Sequence, residues 1–164
     1  MTLFEIALLI AAFLCALTTG LVYTFAVVVM PGIKTLPDRD FLRAFKVMDR
    51  VIQQNDPRFT VVWVGSVLAL IIACALGVGA LDGIRRLTLI AITLVYLLGV
   101  QAPTFTINIP MNNRLQALNL DALTPSELQA EREAFEGRWN YWNAFRTILA
   151  SISTLTLILL GIRL

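Results

Sequence analysis

Apolar residues dominate this chain in four blocks, and the polar residues between them are grouped rather than scattered. Residues 6–29, 59–81 and 87–113 contain no Asp, Glu, Lys or Arg. Each is long enough for the roughly 20 apolar residues that cross a bilayer as a helix. The fourth block, 147–162, is shorter. It becomes a full crossing if its helix begins near Trp139, about 12 Å earlier at a rise of about 1.5 Å per residue. That start puts Arg146 inside the span, where a guanidinium must snorkel outward or find a partner. The pattern predicts spans at about 4–30, 58–81, 86–113 and 138–162.

The segments between the spans have their own periodicity. Met30-Pro31-Gly32 ends the first span, because proline lacks a backbone donor and biases its predecessor away from helix. From Asp38, Phe41, Phe45, Met48 and Ile52 recur at helical spacing with charges opposite, which predicts an amphipathic helix over about 38–55 that starts on an acid. Such a helix lies in the headgroup plane or closes the bundle mouth as a lid. Thr124-Pro-Ser-Glu127 predicts a polar helical extension from Thr124 or Ser126 through Glu136, ahead of span 4. Gly20, Gly65, Gly77 and Gly79 read as places of close helix approach. With 164 residues, short connections leave room for one domain, 1–164. The predicted fold class is all-α, an up-down-up-down transmembrane four-helix bundle with an interfacial amphipathic helix between spans 1 and 2.

Composition supports a membrane protein and removes several function classes. Hydrophobic residues make up 58% and charged residues 15%, and the mean hydropathy is +0.78, well outside soluble composition. The first segment lacks a positive start and a small-residue cleavage site, so it is expected to be retained as a span. A net charge of +2 without a basic, aromatic-rich run excludes nucleic acid as the partner. Cys15 and Cys74 lie within apolar blocks and behave as small hydrophobes. The chain has no histidine, and its acids lack ligand spacing, so no metal site and no histidine-ligated haem is expected. Phosphate-binding glycine loops, dinucleotide fingerprints and nucleophilic triads are absent too. The expected location is a bacterial inner membrane. Arg85, Arg86 and Arg163 fall on one side and the other ten of the 13 Lys and Arg on the long-loop side. This favours cytoplasmic long loops, against the pull of Arg85-Arg86 in the one tight turn.

The polar positions within the last two spans carry the candidate chemistry. Gln101, Thr104, Asn108 and Asn112 recur at i, i+3, i+7 and i+11 on one face of span 3. Pro103 and Pro110 free the carbonyls of Gly99 and Thr106 from helical bonding. Span 4 presents Trp139, Trp142, Asn143 and Arg146 at i, i+3, i+4 and i+7. Arg146 offers five donors and Asn143 two, so the two faces match if they meet, and they predict one shared site. Two tryptophans give stacking surfaces, the amides orient oxygens, and a buried cation stabilises an enolate or phenolate. A planar, oxygenated aromatic molecule suits such a pocket. Against this stands a structural reading, in which tryptophans anchor spans at the interface and asparagines join helices.

Four segments carry a family likeness: Phe25-Ala-Val-Val-Val-Met-Pro31, the Phe41 to Phe45 segment leading to Asn55-Asp-Pro-Arg-Phe59, Asn108-Ile-Pro-Met-Asn-Asn-Arg-Leu115, and Trp139-Asn-Tyr-Trp-Asn-Ala-Phe-Arg146. On these, over nearly its whole length, the chain resembles the anthrone-oxygenase-like family of small four-span membrane proteins. The resemblance implies an oxidoreductase, a monooxygenase that converts an anthrone-type polyketide to an anthraquinone with dioxygen. It implies a site of Asn108, Asn112, Trp139, Trp142, Asn143 and Arg146. In our reading of that site Arg146 stabilises the substrate anion, Asn108 and Asn112 hold its oxygens, and Trp139 and Trp142 stack its rings, with Gln101, Thr104 and Asn143 as further binding residues. An anthrone-like carbon acid forms a delocalised anion that reacts with oxygen directly, so no cofactor is expected. Proton removal then falls to water, Asp49, Tyr23 or Tyr96. Two other readings remain open: a non-catalytic binder or carrier of hydrophobic metabolites, and a structural membrane component. The expected partners are a hydrophobic small molecule, the lipid bilayer and, for so small a chain, further copies of itself.

Overall fold

A computed structural model describes residues 1–54 and 56–163. Asn55, where the amphipathic helix was expected to end, lies outside the described residues. The described residues form five helices and no strand: α1 (Leu3–Ile33), α2 (Asp38–Gln53), α3 (Pro57–Ala80), α4 (Gly83–Ala117) and α5 (Pro125–Ile162). Four of them, all but α2, are long and apolar enough to cross a membrane. α1 packs against α3 and α5, and α4 packs against the same two, so the spans follow one another around a ring. This is the predicted up-down-up-down bundle.

Proline is accommodated rather than obeyed. α1 runs through Pro31 to Ile33 instead of turning at Met30-Pro31-Gly32. The reason is a widened turn over Phe25–Val29, where the Met30 N–H reaches back five residues to the Phe25 carbonyl. α4 does the same twice. Widened turns over Tyr96–Gln101 and Thr104–Asn108 lead up to Pro103 and Pro110, with Ala102 N–H bonded to Leu97 O and Ile109 N–H to Thr104 O. Such turns relieve the ring clash and are frequent at functional sites.

Caps set the remaining bounds. Thr124 and Glu127 form a reciprocal capping box with Pro125 in the first turn. The polar extension and span 4 are one unbroken 38-residue helix, about 57 Å long. α3 starts on Asp56, whose carboxylate accepts from the Arg58 backbone N–H at 2.9 Å. The Arg58 side chain holds that carboxyl well below its usual range, at about 2. α2 starts differently from expectation: Pro37 occupies the cap position, and Asp38 accepts from Arg132 of α5 at 3.0 Å.

The apolar face of α2 is buried against protein. Phe41 and Leu42 are fully buried and Phe45 nearly so, each removal from water stabilising by roughly 1.5–3 kcal/mol. Phe45 meets Phe135 and Trp139 edge-on, with centroids 4.7 and 5.1 Å away. α2 therefore closes the long-loop end of the bundle, as in the lid expectation. Close packing below depends on glycine at two points: a methyl group at Gly77 would collide with Leu89 and Phe4, and one at Gly99 with Leu149. Gly65 approaches Leu14, whereas Gly20 and Gly79 face open space and are not points of close approach.

Candidate functional site

Beneath α2 lies a cavity of about 290 Å³ to which all five helices contribute, a volume at the small end of small-molecule sites. Its polar groups divide into two clusters. On the span side, Arg146 is 5% exposed. It donates from Nη1 to Thr104 Oγ1 at 2.9 Å and from Nη2 to Asn143 Oδ1 at 2.8 Å. The Thr104 hydroxyl in turn donates to the Val100 carbonyl, and Asn143 donates to the Val22 carbonyl of α1 at 3.0 Å. These donors thus go to a hydroxyl, an amide and α1, not to the freed Gly99 and Thr106 carbonyls. Arg146 has no carboxylate partner among the described residues, and its Nε has no hydrogen-bond acceptor. A guanidinium so placed is an uncompensated positive charge in a low-dielectric wall.

On the lid side, Asp49 is 2% exposed. Its Oδ1 accepts from Asn112 Nδ2 at 2.8 Å, and its Oδ2 accepts from Gln116 Nε2 at 2.8 Å and Gln53 Nε2 at 3.3 Å. Three neutral amides hold it, and no cation is within salt-bridge reach among the described residues. Asn112 also accepts from Trp139 Nε1 at 2.9 Å. Arg146 lies seven residues beyond Trp139, about 10 Å deeper along α5.

Asn108 lies on the cavity wall, is 2% exposed, and both its amide oxygen and nitrogen are without a partner among the described residues. Buried amides are rarely left unpaired, so this one is free to bind a polar group in the cavity. The structure therefore brings Thr104, Asn108, Asn112, Trp139, Asn143 and Arg146 to one cavity. It does not bring Gln101 or Trp142. Gln101 does not line the cavity; its Oε1 accepts from Nε1 of Trp63, which does, at 3.0 Å. Trp142 turns to the outer face and packs against Tyr141 and Phe145.

Of the proton acceptors considered from sequence, only Asp49 reaches the cavity. Tyr23 is 53% exposed, and the fully buried Tyr96 bonds Ser66 at 3.0 Å away from it. Sequence reasoning missed Trp63 and Phe59 of α3, Phe45, and the amides of Gln53 and Gln116. One signal was present: Asp49 follows Phe41 and Phe45 at i+8 and i+4, a carboxylate on the apolar face of its helix.

A family model described as anthrone oxygenase matches residues 59–156. The chain belongs to that family. The stretch matched by the anthrone oxygenase model holds α3 from Phe59 on, all of α4 and most of α5, hence Thr104, Asn143 and Arg146 of the span-side cluster. The lid helix with Asp49 precedes it. No curated protein and no solved structure matches the chain.

Proposed function

We propose that this membrane protein is an oxygenase that binds a planar, hydroxylated aromatic carbon acid of the anthrone type and lets its anion react with dioxygen. One observation carries the reading: among the described residues, the same cavity holds a buried guanidinium with no counter-ion and a buried carboxylate with no cation. A neutral acid that gives a proton to the carboxylate and leaves its anion beside the guanidinium satisfies both.

The steps follow from those groups. Asp49 takes a proton from the ring methylene, and the electron pair delocalises onto the ring carbonyl oxygen. Arg146 and Asn108 stabilise that oxygen, because donors aimed at developing charge in a water-poor site lower the barrier most. The carbanion adds dioxygen to give a peroxide anion, which recovers the proton from Asp49. Asp49 then removes the second methylene proton as the O–O bond breaks. Hydroxide leaves, takes up that proton, and the products are a quinone and water. One carboxylate thus serves every proton transfer and ends as it began. Trp139, Trp63 and Phe45 supply aromatic faces for the rings, and Thr104 and Asn143 hold Arg146 in place. The chemistry resides in the substrate anion and requires no metal.

The excess of Lys and Arg on the long-loop side supports a cytoplasmic lid, against the pull of Arg85-Arg86, in what we take to be a bacterial inner membrane. The test is oxygen uptake by purified protein in nanodiscs supplied with 1,8-dihydroxyanthrone, with empty nanodiscs as the autoxidation control. Quinone formation faster than the control, with one dioxygen consumed per quinone, supports the oxygenase. Saturable binding with no acceleration would instead identify a carrier, the second use to which the unpaired Asn108 amide could be put.

A further inference from the structure

α2 covers the long-loop end of the cavity, and part of the cavity wall reaches the outer surface of the spans. On the aqueous side α2 is tied down along its length. Arg132 of α5 donates to the Lys34 and Leu36 carbonyls and to Asp38, and its guanidinium lies 4.4 Å from the Phe41 ring centroid. Arg39 and Arg43 both bond Asp121. Lys46 donates to the Leu118 carbonyl and Gln116 returns a bond to the Lys46 carbonyl.

On the membrane side α3 and α4 pack together near their tight-turn ends, and among the described residues no comparable packing joins them at the cavity end. Two side-chain hydrogen bonds frame the gap: Gln53 to Asn113 at 2.8 Å above, and Trp63 to Gln101 at 3.0 Å below. Between them, two residues that line the cavity also lie on the outer surface of the spans, Val64 at 48% and Phe105 at 60% exposure. Both belong to stretches long and apolar enough to face hydrocarbon.

Resting on the functional reading above, we infer that the substrate reaches and leaves the cavity sideways from the bilayer, through the slit between α3 and α4 edged by Val64 and Phe105, while α2 stays closed. The ligand class is therefore narrowed to aromatics that partition into the membrane. A polar conjugate, excluded from the hydrocarbon, has no path in. The slit also gives dioxygen, itself more soluble in lipid, the same route.

The experiment uses full-length protein in vesicles and 1,8-dihydroxyanthraquinone, the product of the test reaction, as probe. Stopped-flow quenching of tryptophan fluorescence follows its arrival, in a Trp142→Phe background so that the outward tryptophan does not contribute. Narrowing the slit with Val64→Phe should lower association and dissociation rates together by about tenfold, and widening it with Phe105→Ala should raise both, with Kd moving far less than the rates. Arg39→Gln/Arg43→Gln, which frees Asp121 at the mouth, should leave both rates unchanged. Rates that respond to the mouth variant and ignore the slit variants overturn the lateral route and leave the oxygenase reading intact. Wild-type protein that shows no quenching at any quinone concentration overturns both.

Discussion

Asn112 donates to Asp49 at 2.8 Å with its amide nitrogen. The oxygen of the same amide accepts from Trp139 at 2.9 Å, so one side chain fixes both the carboxylate on the lid and the indole on the wall. Turning the amide over would face its NH₂ to the indole N–H and its oxygen to the carboxylate, losing both bonds. The lid is thereby held in register with span 4 through the site itself, not only through its exposed ion pairs, which individually contribute little.

Asp49→Asn is the sharpest test of the proton acceptor. The change keeps shape and one acceptor oxygen, but sets an NH₂ against amide nitrogens that now donate to Asp49. Loss of a general base lowers turnover by about 10²–10⁴-fold, and the donor conflict lowers stability by about 1–3 kcal/mol. Quinone formation by oxygen electrode, paired with a thermal melt in detergent, reads both. Unchanged turnover in a folded variant removes Asp49 from the chemistry.

Arg146→Lys separates charge from geometry. A lysine keeps the cation but cannot bridge Thr104 and Asn143 as the guanidinium fork does at 2.9 and 2.8 Å. The anion-stabilising position is displaced, and kcat should fall by about 10²–10³-fold, the cost of losing one preorganised donor. Stability should suffer less than in Arg146→Ala, which strands the Asn143 oxygen. Wild-type kcat in the lysine variant would mean that bulk charge alone suffices and that the Thr104 bond is incidental.

The four crossings were legible because hydrocarbon demands long uncharged runs, and the inward aim of Arg146 because Trp139, Asn143 and Arg146 share one helical face. Trp142 shares it only at the edge, about 60° from Trp139 at 100° per residue, and packing against Tyr141 and Phe145 draws it outward. Proline spacing announced disturbed hydrogen bonding in α1 and α4. It did not announce widened turns that carry the helices onward, since a propensity against helix cannot weigh the tertiary packing that overrides it. Trp63 was hidden for another reason. α3 carries only weak polar marks, Thr60 and Ser66 three residues either side of Trp63, which point to one face without telling a cavity wall from an ordinary helix contact.

Gln101→Leu tests whether the Gln101–Trp63 bond positions the site. Among the described residues the buried Gln101 Nε2 has no partner, so an apolar replacement removes one unsatisfied donor while it strands the Trp63 N–H. These opposing effects of about 1–3 kcal/mol each should nearly cancel in a thermal melt. Quinone affinity should nevertheless fall several-fold, because the indole on the cavity floor loses its anchor. Trp63→Phe, which has no N–H to anchor, should make the further Gln101→Leu change silent in a double-mutant cycle. Equal affinity losses from Gln101→Leu in both backgrounds would show that Gln101 acts independently of Trp63.

Gly99 and Gly79 give a matched pair for the packing of the spans. Both are helical glycines in apolar segments, so replacing either by alanine gains roughly 0.5–1 kcal/mol of helix propensity. Gly79 faces open space, and there the gain should appear in full. At Gly99 the new methyl meets the Leu149 side chain of α5. Overpacking of this kind costs about 1–3 kcal/mol, enough to reverse the sign. Gly99 also lies within the widened turn over Tyr96–Gln101, on the helix that carries Gln101 and Thr104. A shift of α4 away from α5 there would stretch the Arg146–Thr104 bond one turn later, so Gly99→Ala should lower turnover as well as melting temperature, and Gly79→Ala neither. Equal melting temperatures for the two variants would show that Leu149 gives way freely and that α4 and α5 are not held close by glycine.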